Sequence, residues 1–194
     1  MRVLVACEYS GVVRDAFIAA GHEAMSCDLL PTDAHGPHYQ GDVRDVLDYP
    51  WDLMIAHPPC TDIAVSGARH FESKRMDGRQ QFGISFVKML SKADIPRIAI
   101  ENPVGILSSL WRKPDQVIQP WQYGHPEAKA TCLWLTNLPP LQPTEVLSIP
   151  SRGYWDNQTP SGQNKLGPSA DRWKVRSATY QGIANAMADQ WGAQ

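Results

Sequence analysis

No stretch of this 194-residue chain approaches the ~20 consecutive apolar residues that cross a bilayer. The amino terminus, Met1-Arg-Val-Leu-Val-Ala6, runs straight into a strand pattern and lacks the basic region, hydrophobic core and cleavage site of a secretory signal. The four cysteines, Cys7, Cys27, Cys60 and Cys132, lack the paired spacing of a disulfide framework, so they are expected as thiols in a reducing, cytoplasmic compartment. Neither sign of charge is in excess: 18 Lys and Arg stand against 20 Asp and Glu, a formal net charge of -2. That excludes a global attraction to polyanions, so a nucleic acid would have to be held by a local patch. Internal repeats and low-complexity tracts are absent as well. One domain, 1–194, with no membrane association and a core large enough to need neither disulfides nor metals, is the expectation.

What the sequence does contain is organised around Trp51-Asp-Leu-Met-Ile-Ala-His-Pro-Pro-Cys-Thr61. Leu53 to Ala56 has the length and composition of a buried strand, and Pro58-Pro59 then prevents either a helix or a strand from continuing. Cys60 is left at the carboxyl end of that strand, the edge where open α/β sheets bind ligands, so a nucleophile there is placed as an enzyme places one. A buried structural cysteine after a Pro-Pro turn is the alternative.

In chain order, Arg2 to Cys7 reads as a first strand, apolar enough to be covered on both faces. A helix opens at Ser10-Gly11, with Val13, Ala16, Phe17 and Ala20 on one face, Arg14 and Asp15 pointing elsewhere, and Gly21 ending it. His22 to Cys27 is the second strand and closes at Asp28, an acidic residue positioned to accept ribose hydroxyls or to serve as a turn residue. Residues 31–38 form a loop and Gly41-Asp42-Val43 a stub of third strand. Trp51 to Ala56 is the fourth strand. The polar run after Cys60 leads to a helix over Gln80 to Lys92, with Phe82, Phe86, Val87 and Leu90 on one face. Arg97 to Ile100 is the fifth strand, with Glu101 at its end. A thiol and a carboxyl on adjacent parallel strands form a nucleophile and acid pair.

The 16 prolines and 14 glycines are dense between residues 103 and 168, so the second half is expected to be loop-rich. A short helix ends near Trp111, Cys132 to Leu135 is another strand, and Thr179 to Gln190 is a final helix with Ile183, Met187 and Trp191 in register. Residues from about 138 to 168 read as loop with a possible hairpin.

Two other chemistries compete for the central stretch. His35-x-x-His38 and His57-x-x-Cys60 supply residue types suited to tetrahedral zinc, but the pairs sit on different elements, and a ligated Cys60 would not be a nucleophile. No metal is therefore assigned. Amino-methylation of adenine needs a polar acceptor and a stacking ring at the places His57 and Cys60 occupy. Thiolate attack at C6 of a cytosine suits the residues better, because the adduct turns C5 into a carbon nucleophile for a sulfonium methyl donor.

The ordered pieces Gly11-x-x-Arg14-x-Ala-Phe17-x-x-Ala-Gly21, Asp28, Gly41-Asp42-Val43, Pro58-Pro59-Cys60 with Ser66-Gly67, Glu101-Asn102-Pro103 and Gly182-Ile-Ala-Asn185-Ala186 run through most of the chain. Together they resemble the DNA cytosine-5 methyltransferase family in a short, phage- or prophage-like form. The resemblance implies an α/β fold with a doubly wound, mostly parallel sheet of the class I S-adenosylmethionine-dependent methyltransferase (Rossmann-like) type. It implies S-adenosylmethionine as cofactor and duplex or single-stranded DNA as partner. By the same resemblance Cys60 is the nucleophile and Glu101 binds and protonates the cytosine edge. Cys7, Glu8, Tyr9, Ser10 and Gly11 wrap the methionine part of the donor, with Pro58 on that side and Asn185 near the donor carboxylate. Asp28 holds the ribose, Leu29 packs on the adenine, and Asp42 with Val43 meets the adenine amino edge. Pro59, Thr61 and Asn102, with Ser66, Arg69 and His70 of a mobile catalytic loop, face the substrate.

The sequence departs from that family in three places. The first loop, Cys7-Glu-Tyr-Ser-Gly11, keeps one glycine where the family is glycine-rich, and it adds a glutamate. A Gln-x-Arg-x-Arg piece is absent; Gly124-His-Pro-Glu-Ala-Lys-Ala-Thr131 stands in its place, with Lys129 as the candidate for the lost charge near the cytosine carbonyl. The target-recognition domain is reduced to residues 138–176, where Arg152, Tyr154, Trp155, Lys165, Arg172, Lys174 and Arg176 mix cations and aromatics suited to gripping a backbone and stacking a base. Flipping a base costs a few kcal/mol that such contacts must supply. A homodimer that shares the task, a free cytosine nucleotide or RNA as substrate, and a non-catalytic nucleic-acid- or nucleotide-binding protein that retains the fold are the alternatives that follow.

Overall fold

The computed structural model describes residues 1–167, 169 and 172–193. Its centre is a seven-stranded sheet made of β1 (Arg2–Ala6), β2 (Glu23–Asp28), β3 (His38–Gln40), β4 (Leu53–Ala56), β5 (Ile98–Pro103), β6 (Gln116–Ile118) and β7 (Thr131–Thr136). The spatial order is β3-β2-β1-β4-β5-β7-β6, with β7 antiparallel to both of its neighbours and the pairs β2–β3, β1–β2, β1–β4 and β4–β5 parallel. The helices are α1 (Val12–Ala19), α2 (Phe71–Met76), α3 (Arg79–Leu90), α4 (Leu107–Leu110), α5 (Arg172–Ser177) and α6 (Gln181–Gly192).

The central strands are apolar at successive positions because both faces of the sheet are covered. Val3 and Val5 of β1, with Leu53 and Ile55 of β4, face Val13 and Phe17 of α1 and Ile183, Met187 and Trp191 of α6. The intervening residues Leu4, Ala6, Met54 and Ala56 face the opposite layer, where α3 contributes Ile84, Val87 and Leu90. This period-two sorting places one core on each side of the sheet and leaves the strand ends to carry polar groups.

Several local expectations are corrected. The third strand is His38–Gln40, pairing with Ser26 to Asp28, while Asp42 caps a one-turn 3-10 helix over Val43–Asp45 by accepting from the Arg44 amide. An aspartate that satisfies an amide two residues on favours such a turn over a strand. Phe82 is 70% exposed, so the buried face of α3 runs through Gln80, Ile84, Val87 and Leu90 instead. β6 was not anticipated: three residues between Pro114 and Pro120 are too few to show a period. Arg14 does not point outward but is fully buried. In the loop-rich region up to residue 167, the expected hairpin amounts to one isolated bridge between Gln158 and Asn164. Among the described residues no helix is long and apolar enough to cross a membrane.

Candidate active site

Because β1, β2, β4 and β5 are mutually parallel, the segments that follow them open onto one rim. The turn Cys7–Gly11 leaves β1, Asp28 ends β2, His57–Cys60 leaves β4, and Glu101-Asn102 lies at the end of β5. Asn102 is buried and its Nδ2 donates to the Pro58 carbonyl at 2.8 Å, which fixes the Pro-Pro turn against β5. The Cys60 carbonyl accepts from the Ile63 and Ala64 amides at 3.1 and 2.9 Å, so the chain folds back immediately after the cysteine. Gly105 makes that return possible: a Cβ there would stand 2.1 Å from the Ile63 carbonyl oxygen.

Cys60 is half-buried and Pro59 and Thr61 are exposed. Burial, and after it the negative charge of Glu101, push the Cys60 thiol above its usual range; Arg176 and Lys129 pull in the other direction. Lys129 also acts electrostatically on Glu101 and His57, which places it in the same cluster. Its Nζ donates to the carbonyls of Arg176 at 2.7 Å and Ala178 at 3.3 Å and lies over the Tyr180 ring, so the ammonium holds the segment after α5 against the site.

The acid partner has a neighbour that sequence reasoning did not pair with it. His57 Nδ1 and Glu101 Oε2 are 3.1 Å apart with both side chains largely buried. Burial by itself lowers the affinity of His57 for a proton, but the hydrogen bond and charge of Glu101, with the charge of Glu8, outweigh it and raise the His57 pKa above the ordinary value. For Glu101 burial works towards neutrality, and the His57 bond and charge reverse it, so the carboxyl sits below its usual range. The signal available in the sequence was position alone, since His57 directly precedes the prolines at the same strand end.

On the other half of the rim, Glu8 is buried with its carboxylate turned inward, accepting from the Val13 amide at 2.7 Å, the Arg14 amide at 3.2 Å and the Ser10 hydroxyl at 3.1 Å. The extra glutamate therefore caps α1 and compensates its positive end. Gly11 adopts φ +76° and packs against the Arg14 guanidinium. Cys7 lies at φ 59°, and burial followed by the charges of Asp28 and Asp42 push its thiol far above the usual range. Tyr9 is buried, its hydroxyl 3.0 Å from Ser177 Oγ, which ties the end of α5 to this turn.

Asp28 Oδ1 accepts from the Leu30 amide at 2.9 Å, and Leu29 beside it is 72% exposed. An exposed leucine next to a carboxylate at a strand end suits a ligand with an apolar ring and a vicinal diol. Asp42 is less available: Arg44 donates to it from its amide and its guanidinium, both at 2.9 Å, while Val43 is buried beneath. Asn185 lies on the exposed face of α6 and accepts from Gln181 at 2.8 Å. Ser66, Arg69 and His70 are exposed on a 3-10 segment, Val65–His70, held from below by buried Lys74, which bonds the Thr61 carbonyl.

Both ring nitrogens of His38 are engaged, by Ser26 and the Leu30 carbonyl, and among the described residues no cluster of three or more His, Cys, Asp and Glu is arranged to hold a metal. A concavity of about 560 Å³ lined by Ile18, His22, Met25, Tyr49 and Trp51 lies at the amino ends of the strands, opposite the rim that carries these polar groups.

No protein-family model and no curated protein sequence matches the chain. Solved structures do. A protein described as a DNA modification methyltransferase encoded within a prophage (E. coli) superposes with a TM-score of 0.52 at 18% identity, over 76% of this chain and 52% of the other. The S. pombe Dnmt2 methyltransferase superposes with a TM-score of 0.48 at 17% identity, over 72% and 51%. The chain thus spans about half the length of either structure. With its strand order, its reversed β7 and the prophage structure as a neighbour, the chain has the fold of the class I S-adenosylmethionine-dependent methyltransferases.

Proposed function

We propose that the protein transfers a methyl group from S-adenosylmethionine to C5 of cytosine in DNA through a covalent adduct at Cys60. The observation that carries this reading is a half-buried thiol at the end of β4, within the electrostatic reach of a carboxylate at the end of β5. Together they supply a nucleophile for C6 and a partner for N3. The cofactor supplies an electrophilic methyl group, and Asp28, Leu29 and the Cys7–Gly11 turn are the residues that would hold it. The Cys60 thiolate would bond to C6 as Glu101 gives its proton to N3; C5 would take the methyl group from the bound donor, which leaves as S-adenosylhomocysteine; loss of the C5 proton to water, with return of the N3 proton to Glu101, would then break the sulfur–C6 bond. Lys129 and Arg176, which favour the thiolate electrostatically, offset part of the opposing influence of burial and of Glu101. The basic and aromatic groups near Tyr154, with Arg152 and Lys165 both within cation–π range of its ring, are the proposed contact for the nucleic acid.

The test is Cys60→Ser with labelled donor. Transfer, and covalent trapping on 5-fluorocytosine DNA, should vanish while S-adenosylhomocysteine binding stays within about twofold, because removing the nucleophile leaves uniform binding intact. A serine variant that still transfers methyl would refute the covalent mechanism. Duplex, single strand and dCMP offered in parallel identify the form of the substrate, and a wild type that binds DNA but not S-adenosylhomocysteine would point to the non-catalytic alternative.

A further inference from the structure

The pairing of His57 with Glu101 has no counterpart in the chemistry described so far, which asks only for Cys60 and Glu101. Both partners of this contact are largely buried at the rim, 3.1 Å apart, and it joins the two strand ends that carry the nucleophile and the acid. The His57 amide donates to the Ala6 carbonyl at 2.9 Å, so its backbone is fixed to β1. Its Nε2 is buried and has no partner among the described residues. The ring therefore has one hydrogen-bonding commitment, and that commitment is to Glu101. A histidine serving the core alone would leave neither a nitrogen unpaired nor a carboxylate buried beside it.

We propose that His57 is a positioning residue of the reaction, holding Oε2 of Glu101 so that the other carboxylate oxygen, Oε1, is the one left to meet the pyrimidine edge beside Cys60. This rests on the cytosine-5 reading of the site. Two consequences separate the role from a structural one. The Glu101 side chain is fixed in a single orientation before substrate arrives, which is how a neighbouring group raises kcat without touching substrate. In addition, the pair sets the pH at which Glu101 gains the proton that N3 requires. The charged and titratable groups that act on the pair are Glu8 from the β1–α1 turn and Lys129 ahead of β7, with the thiols of Cys60 and, from β7, Cys132 both within the electrostatic reach of Glu101. Removing the hydrogen bond and positive charge of His57 leaves Glu101 buried with less to stabilise its anion, so its pKa rises.

His57→Ala and His57→Asn test the role with methyl transfer to cytosine DNA measured across pH. The alanine variant should lose on the order of 10²-fold in kcat, the scale of a misplaced catalytic group, with S-adenosylhomocysteine affinity unchanged. The asparagine variant, which offers a neutral N–H at similar reach, should recover most of that loss, and its alkaline limb should move to higher pH than in the wild type. As a readout independent of turnover, NMR titration of His57 should show its pKa falling in Glu101→Gln. Wild-type activity and trapping combined with an unaltered kcat and pH profile in both His57 variants overturns the role of His57 alone. A His57 titration indifferent to Glu101→Gln does the same. Wild-type protein that neither traps fluorocytosine DNA nor methylates it overturns the underlying reading, and the positioning role falls with it.

Discussion

Arg14 offers the sharpest check on how the β1–β2 half of the rim is held. Its side chain is fully buried, and its guanidinium donates to Asp15 at 2.7 Å, to Ser26 at 3.1 Å, to Thr32 at 3.3 Å and to the carbonyls of Ala34 and His35 at 3.2 and 3.5 Å. One cation thus ties α1, β2 and the 32–35 loop together, and Gly11 and Gly36 close over it so tightly that a Cβ on either would lie within 3 Å of the guanidinium. Arg14→Ala removes all five donors and opens a void between these elements. Breaking a buried charged network of this kind costs about 3–5 kcal/mol, a large part of the 5–15 kcal/mol by which a domain is usually stable. Taking about 4 kcal/mol and a urea m-value of about 2 kcal/mol/M, the unfolding midpoint should fall by about 2 M. Tryptophan fluorescence during urea unfolding measures this directly. Arg14→Lys should recover little, because an ammonium does not reproduce a planar fork of five N–H groups. A midpoint lowered by less than about 0.5 M in Arg14→Ala would mean that the network contributes little and that the loop is held by something else.

Two further outcomes concern the pair beside Cys60. Since burial and then Glu101 hold the Cys60 thiol high, Glu101→Gln should speed iodoacetamide alkylation of Cys60 at neutral pH by a factor of roughly several, with Cys60→Ser defining the background; slower alkylation in that variant would contradict the placement of the charge. Stability should depend on pH in a defined window. The raised His57 pKa contributes stability that is complete below about 6.5 and disappears as pH rises through the folded value. The lowered Glu101 pKa contributes stability that is present above about 4.3 and disappears as pH falls through the folded value. Both shares are therefore in force between about pH 4.3 and 6.5, and the loss in urea midpoint caused by Glu101→Gln should be largest there and smaller at about pH 9. An equal loss at both ends would show that the contact is not an ion pair.

The linear order of residues was enough for the parts of this protein governed by local rules. The apolar runs at Arg2–Ala6, Leu53–Ala56 and Ile98–Ile100 could be buried on both faces in only a few ways, and prolines at 58 and 59 had to end their strand, so the sheet and the location of Cys60 and Glu101 at strand ends were legible. Short elements were not. His38–Gln40 and Gln116–Ile118 are too brief to display a period, and they exist because a neighbouring strand offers them hydrogen bonds. Helical spacing around α1 put Arg14 off the apolar face, yet the 32–35 loop returns to enclose it, and only a contact between residues distant in sequence can decide that a cation is buried. The same holds for Glu8, whose carboxylate is turned onto the α1 amides, and for His57, separated from Glu101 by more than forty residues. Residue chemistry thus announced a thiol and an acid on one rim. The tertiary structure decided which groups adjust their charge, because electrostatic influence follows distance and burial, and neither is written along the chain.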